Sequence, residues 1–416
     1  MSVIMVSIFT ISSCTPLNFS SDFHLLIDTG SSDLWVSNHP KLKLNSTTNA
    51  TVNLTYGIGC AYGSIAYAPV TFGGYRVDNQ AFLSVSKACS DNADAEGILG
   101  LGLNGLSALE RKTKNTSSRS VMANMFAQHP STPHLIGLAL ERSDDGEQTA
   151  GGFLTIGEYD PQFSNITYTP KNPVTPTSGS RWTIAMDAMT INGKHYDLTS
   201  SVQGMKKGQA VALIDSGTSL AYIPSDAVDA IYSQLNGSVH VKTADQDAWF
   251  VPCLEQVNLS FTFAYVHLFV LSVYFGPRSS FDGVRNTPYP INPMELTTPM
   301  RAIHKNDQYT VCINAFRTTL KGTEHELDFL LGDIFMRNVY SMYVVSLLLH
   351  RSSLTAPHLT DSTLETSRRR TGRRTPMPTA KAPRSSSSRA PIEIKSMPVS
   401  KRTAKSLSGG IRRCSI

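Results

Sequence analysis

Residues 25–36 read LLIDTGSSDLWV, and residues 212–224 read ALIDSGTSLAYIP: twice an apolar run, then Asp, a hydroxyl residue, Gly and a second hydroxyl residue. An Asp that ends an apolar strand is buried, and burial disfavours its ionised form unless hydroxyls and backbone N–H groups donate to it. Thr29, Gly30 and Ser31 offer those donors to Asp28; Ser216, Gly217 and Thr218 offer them to Asp215. Gly at the centre lets the chain turn tightly without a Cβ. Each motif is later followed by an apolar-apolar-Gly element, ILGLG at 98–102 and LLGDIF at 330–335. A single Asp-Thr-Gly is commonly no more than a turn stabilised by its own side chain. Two of them, each trailed by its own apolar-apolar-Gly element, imply an internal duplication and therefore two similar lobes, with a boundary near residues 169–180.

If the lobes bring Asp28 and Asp215 face to face, two like charges at contact distance cannot both ionise, so the pair shares one proton and titrates as a unit. One carboxylate can then deprotonate a water while the other donates to a peptide carbonyl oxygen. That is general acid–base amide hydrolysis with no covalent intermediate on the protein.

The rest of the chain is β-like. Short runs such as GGFLTIGEY, WTIAMDAMTING and VTFGGYRV are separated by Gly, Asn and Pro turns, and helical periodicity is scarce. Helices are predicted over 225–235, where Val228, Ile231, Tyr232 and Leu235 share one face behind a Ser cap, and over 120–129. The 416 residues carry a net charge of +5. From His350 onward lie 15 of the 37 Lys and Arg but only three of the 32 Asp and Glu, which leaves 22 basic and 29 acidic residues in the acidic body. The segment 346–416 is rich in Ser, Thr, Pro and Arg and lacks aromatics, so it reads as a disordered basic tail. Arg without aromatics or a fold gives only unspecific attraction for phosphates, so no nucleic-acid partner is expected.

The six cysteines (Cys14, Cys60, Cys89, Cys253, Cys312, Cys414) have no metal-ligand spacing, which favours disulfides over a zinc site. Sequons at Asn18, Asn45, Asn49, Asn53, Asn115, Asn165, Asn236 and Asn258 favour a secretory route and a glycoprotein. The opening MSVIMVSIFTISSC lacks a basic start and is not a convincing signal peptide, so residues 1–14 are a doubtful N-terminal segment. Residues 259–275 form an apolar run at the lower edge of membrane-spanning length. A span there would divide one lobe across a bilayer, so none is expected.

These motifs resemble the pepsin-like family of eukaryotic aspartic endopeptidases from about Thr15 to Tyr343, with DTGSSDLWV the most specific signature. The resemblance implies a mostly β, bilobal acid protease fold with a few short helices: an N-terminal lobe over 15–170 carrying the first Asp motif and a flap, and a C-terminal lobe over 171–345 carrying the second. It implies Asp28 and Asp215 as the catalytic pair, with Thr29, Gly30, Ser31, Ser216, Gly217 and Thr218 in support. It also implies a flap hairpin at YGIGCAYG (56–63), in which Tyr56 and Gly57 close over substrate and the Tyr56 phenol reaches the Trp35 indole. Cys253 and Cys312 correspond to a disulfide of the second lobe, whereas pairing of Cys60 with Cys89 stays open. The expected function is cleavage of proteins at acid pH by a monomer that takes extended polypeptides and pepstatin-type inhibitors and needs no cofactor or metal. The resemblance suggests a fungal, extracellular or vacuolar enzyme. A catalytically inactive peptide-binding relative is the alternative.

Three stretches depart from the family pattern. A propeptide and an entry strand pair do not precede the first Asp motif, residues 264–274 read as an insertion, and after about residue 345 the closing strand of the interlobe sheet gives way to the basic tail. Read together as gene-model errors, these leave an unpaired sheet edge and an expectation of little or no activity for the chain as it stands.

Overall fold

The computed structural model describes residues 4–12, 20–37, 44, 46–57, 59–89, 96–142, 152–169, 172–176, 179–243, 247–263, 271–277, 288–304, 307–319, 326–345 and 392–396. Among them strands dominate, in sheets of 13, eight and four strands, and helices are short. The fold is mostly β and bilobal.

The repeated sequence elements pair in the same way in both lobes. Strand Ser20–Asp28 runs parallel to Gly97–Gly100, the start of ILGLG, with Ile27 opposite Leu99 and Asp28 opposite Gly100. Leu34–Ser37 then returns antiparallel along the same partner. In the second lobe Ala210–Ile214 runs parallel to Phe329–Leu331, with Ile214 opposite Leu331, and Ala221–Ile223 returns antiparallel to it. The apolar-apolar-Gly element is therefore the strand that fills the gap between the two arms of each Asp loop. Its glycine is required by close approach. A Cβ at Gly100 would fall 2.6 Å from the Ser32 carbonyl carbon, and one at Gly332 would collide with the Thr218 and Leu220 carbonyl oxygens.

The largest apolar core runs through both lobes and includes Phe23, Ile27, Trp182, Ile214, Phe261, Phe335 and Tyr343, while a second cluster of Leu26, Trp35, Leu54, Ile65, Leu83 and Ile98 lies under the expected flap. The helix predicted over 225–235 spans Ser225–Tyr232 and buries Val228, Ile231 and Tyr232. Pro224, not a serine, stands at its N-cap, and Leu235 is buried in the turn that follows. The helix predicted over 120–129 spans Val121–Gln128, capped by the Ser120 side chain.

Strand Val339–Val345, where an open edge of the interlobe sheet was expected, is paired on both sides. It has Leu135–Leu140 on one side and Leu271–Pro277 on the other, seven residues in register from Leu271 opposite Val345 to Pro277 opposite Val339. Residues 271–274, the end of the stretch that reads as an insertion, thus belong to the sheet that joins the lobes, whereas 264–270 lie outside the described residues. An apolar run suits a strand covered on both faces as well as it suits an insertion. The segments doubted at the two ends also contribute: Ile4–Ser12 pairs with Ser20–Asp28, and Ile392–Ser396 from the basic tail lies between Ile4–Ser12 and Gly152–Ile156. The remainder of 346–416 is outside the described residues, as are Cys14 and Cys414. Among the described residues no helix is long and apolar enough to cross a membrane.

Candidate active site

The two Asp loops end their strands at the same place between the lobes, and each carboxylate is held by its own loop. Gly30 N donates to Asp28 Oδ1 at 2.8 Å and Ser31 Oγ donates to Oδ2. Gly217 N donates to Asp215 Oδ1 at 2.8 Å and Thr218 Oγ1 donates to Oδ2, also at 2.8 Å. The glycines matter a second time, across the lobes. A Cβ on Gly30 would sit 2.5 Å from the Asp215 carboxyl carbon, and one on Gly217 would press against the Asp28 carboxyl. Any larger residue at either position would drive the carboxylates apart.

Thr29 and Ser216 do something other than hold the carboxylates, as their place beside them suggested. Thr29 N donates to Ser216 Oγ at 3.1 Å and Ser216 N to Thr29 Oγ1 at 3.0 Å. Each hydroxyl then donates onward to a carbonyl of the opposite lobe, Thr29 Oγ1 to Ile214 O and Ser216 Oγ to Ile27 O, both at 2.9 Å. These four bonds are buried, so a partner lost on either side leaves an unsatisfied polar group away from water. They fix the spacing of the loops, and with it the spacing of the two carboxyls.

Asp28 and Asp215 are both buried, and each carboxyl abuts the central glycine of the opposite loop. Two buried carboxylates this close disfavour double ionisation. Burial first, and the adjoining Asp215 charge second, hold the Asp28 carboxyl well above the usual carboxylate range. The arrangement therefore keeps a proton where an isolated Asp would have lost it, and presents one donor and one acceptor side by side.

Two further buried carboxylates attached to the Asp loops, Asp33 and Asp333, escaped the sequence reading. Asp33 is pushed up by burial, but Ser107 Oγ (2.6 Å), Ala108 N (2.8 Å) and Leu109 N hold it, so it ties the strand after the first loop to the start of helix Ala108–Thr113. Asp333, whose N donates to Thr218 O at 2.8 Å, is raised strongly by burial, and its Oδ1 finds no hydrogen-bond partner among the described residues. The only signals in the sequence were the sixth residue of DTGSSD and the Asp of LLGDIF, and neither residue type marks itself as buried.

Tyr56 and Gly57 lie at the tip of the hairpin between strands Ser46–Thr55 and Cys60–Phe72, closed by Tyr56 N donating to Gly59 O at 3.1 Å. Gly59 has φ +97°, a left-handed conformation open chiefly to glycine. Tyr56 packs on the cluster containing Trp35. Burial and, after it, the Asp28 charge raise the phenol's pKa. The Trp35 Nε1 N–H has no hydrogen-bond partner among the described residues, so the expected bond from the indole to the Tyr56 phenol is not made. Cys60, beside the hairpin's turn, forms a disulfide with Cys89 just past the neighbouring strand Tyr75–Ala88, with Cα atoms 4.9 Å apart, and Cys253 pairs with Cys312 in the second lobe at 5.2 Å. No group of His, Cys, Asp and Glu among the described residues could hold a metal ion.

The family model described as eukaryotic aspartyl protease matches residues 18–347. The chain is 27% identical to pepsin A of Gallus gallus over 354 residues, which cover 80% of each protein. It is 32% identical to polyporopepsin of Irpex lacteus over 228 residues, 53% of this chain and 62% of that one. The crystal structure of the aspartic proteinase from Irpex lacteus superposes with a TM-score of 0.58 at 21% identity, covering 85% of this chain and 99% of that one, a likeness of fold.

Proposed function

Because the chain belongs to the eukaryotic aspartyl protease family, a family of peptide hydrolases, we propose that Asp28 and Asp215 are the general acid–base pair with which it cleaves polypeptides. The observation that carries this reading is the matched pair of loops, each carboxyl held by its own glycine N–H and hydroxyl while Thr29 and Ser216 set the gap. With one proton on the pair, the ionised carboxylate takes a proton from a water positioned between the two. The protonated carboxyl donates to the carbonyl oxygen of the scissile amide. Return of a proton to the amide nitrogen then releases the two peptides, with no bond to the protein at any stage. Tyr56 and Gly57, on the hairpin over the pair, exclude bulk water, and the Cys60–Cys89 bridge anchors that hairpin. A pepstatin-type inhibitor would occupy the same cleft as an extended substrate.

The raised Asp28 pKa fixes the expected pH dependence. The one-proton state is present below that raised value and is lost as pH rises through it, so activity falls from mildly acid towards neutral pH. The test is cleavage of acid-denatured haemoglobin by the purified chain across pH 3–7.5. Pepstatin-sensitive cleavage that fades towards neutral supports the reading; cleavage that is indifferent to pepstatin and persists at neutral pH sinks it. Pepstatin binding without turnover would mark the chain as an inactive peptide binder.

The same reading makes the protein a secreted or vacuolar glycoprotein that acts as a monomer. All six sequon asparagines within the described residues, Asn49, Asn53, Asn115, Asn165, Asn236 and Asn258, are exposed. Expressed through a eukaryotic secretory route, the protein should drop in apparent mass on endoglycosidase treatment. An unchanged mass would count against that route.

A further inference from the structure

We propose that Arg181 selects substrates with an acidic side chain next to the scissile bond, so that the enzyme prefers Glu or Asp there over a neutral residue; the inference rests on the proteolytic reading above. Arg181 Nη1 donates to the Gly30 carbonyl oxygen at 3.0 Å, although the two residues lie 151 positions apart and in different lobes. Gly30 is the glycine whose Cα faces the Asp215 carboxyl with no room for a Cβ. The guanidinium is thus fixed to the backbone that borders the paired carboxyls. Its position is set by the next residue: Trp182 is fully buried, and its Nε1 donates to Leu101 O at 3.0 Å.

The side chain is not used up by these contacts. It remains 31% exposed, and its other bond among the described residues runs from Nε to Glu326 Oε2 at 2.9 Å, where Glu326 is 64% exposed. An ion pair that open to water contributes little and exchanges easily. A guanidinium has five N–H donors and binds a carboxylate bidentately, and Nη2 has no bond among the described residues. The charges around it are Glu326, the Asp28 and Asp215 pair beyond Gly30, and Arg111, whose Nη1 donates to the carbonyl of Gly105, the residue that packs on Ser180. Among the described residues, Glu326 is the one carboxylate paired with Arg181. An extended peptide advances about 3.3 Å per residue, so a side chain within about two residues of the scissile bond comes within reach.

The signature is a preference that depends on pH in a direction set by the substrate. Arg181 stays charged throughout, whereas a substrate Glu loses its charge below its pKa of about 4.3. The preference is then present above that value and disappears below it. The experiment uses amidated, internally quenched peptides that differ only in Glu or Gln at each of the two residues on either side of the scissile bond. At pH 5.5 the ratio of kcat/KM for Glu over Gln should be about three- to tenfold at one of these positions, and about one at pH 3. Arg181→Gln should bring the pH 5.5 ratio to about one, Arg181→Lys should keep part of it, and Glu326→Gln should raise it. An Arg181→Gln ratio equal to that of the unmodified chain, or no Glu preference at any position, overturns the inference. Two statine-containing peptides that differ only in the same Glu or Gln, compared by calorimetric binding, read the same selectivity without turnover, and equal affinities also overturn it. Failure to cleave any peptide counts against the hydrolase reading alone.

Discussion

Asp215→Asn lowers kcat/KM for peptide cleavage by about 10³-fold or more, and the double change with Asp28→Asn is scarcely worse than either alone. General acid–base groups supply roughly 10²–10⁴-fold, and two groups that share one proton act as a unit, so their losses do not add. Asn keeps the volume of Asp and can still accept from Gly217 N through its Oδ1, the position held at 2.8 Å in Asp215. It cannot ionise. A pair with one permanently neutral member can hold a proton or lack one, but it cannot present the donor and the base together in the proposed roles. Folding should survive, since the substitution removes a buried like charge that raises Asp28. Thermal unfolding at neutral pH should therefore occur no lower than in the unmodified protein. A variant with normal thermal stability and more than about a tenth of the original kcat/KM would remove Asp215 from the reaction.

Deleting residues 264–277 abolishes cooperative folding. The sequence reading would make removal of 264–274 a repair, and the sheet register predicts the reverse for a deletion that takes the whole strand to Pro277. Leu271–Pro277 covers Val339–Val345 over seven register positions. Val339–Val345 in turn carries Tyr340 and Tyr343, both fully buried, and the latter stands edge-on to Trp182 in the core that runs through both lobes. Backbone hydrogen bonds contribute about 1 kcal/mol each in net terms. Losing several of them, and opening a long strand edge to other chains, removes a large part of a stability of about 5–15 kcal/mol. Size-exclusion chromatography and a thermal scan of the deleted chain decide the point. A monomer with a sharp transition near that of the full chain would show that the strand is dispensable.

What could be read from the sequence was what local chemistry determines. Gly30 and Gly217 must be small, Ser31 and Thr218 are within reach of the preceding Asp by chain geometry alone, and the apolar-apolar-Gly elements announce that something must be packed closely. What could not be read was set by pairing at a distance. Leu271–Pro277 is an apolar run whose partner lies more than sixty residues away, and nothing local separates a central strand from an insertion. Thr29 and Ser216 lie beside the Asp residues in the chain, yet their hydroxyls face the opposite lobe, and which acceptor a hydroxyl finds depends on docking. The Cys60–Cys89 bridge was open for the same reason, because cysteine spacing does not fix connectivity. Arg181 was invisible, since one arginine before a tryptophan says nothing until Gly30 is placed against it.

The crossed bonds of Thr29 and Ser216 also bear on when the chain can become destructive. Domains fold largely as units and N-terminal first during synthesis, so the first loop exists before its counterpart, 187 residues later, has been made. Until then Thr29 has neither the Ser216 hydroxyl nor the Ile214 carbonyl, and Asp28 has no second carboxyl with which to share a proton. On the proposed mechanism, a half-made or half-folded molecule is therefore harmless to itself and to its neighbours. Completion of the lobe interface is the event that arms it, and the four hydrogen bonds that join the halves are at once the latch and the safety catch.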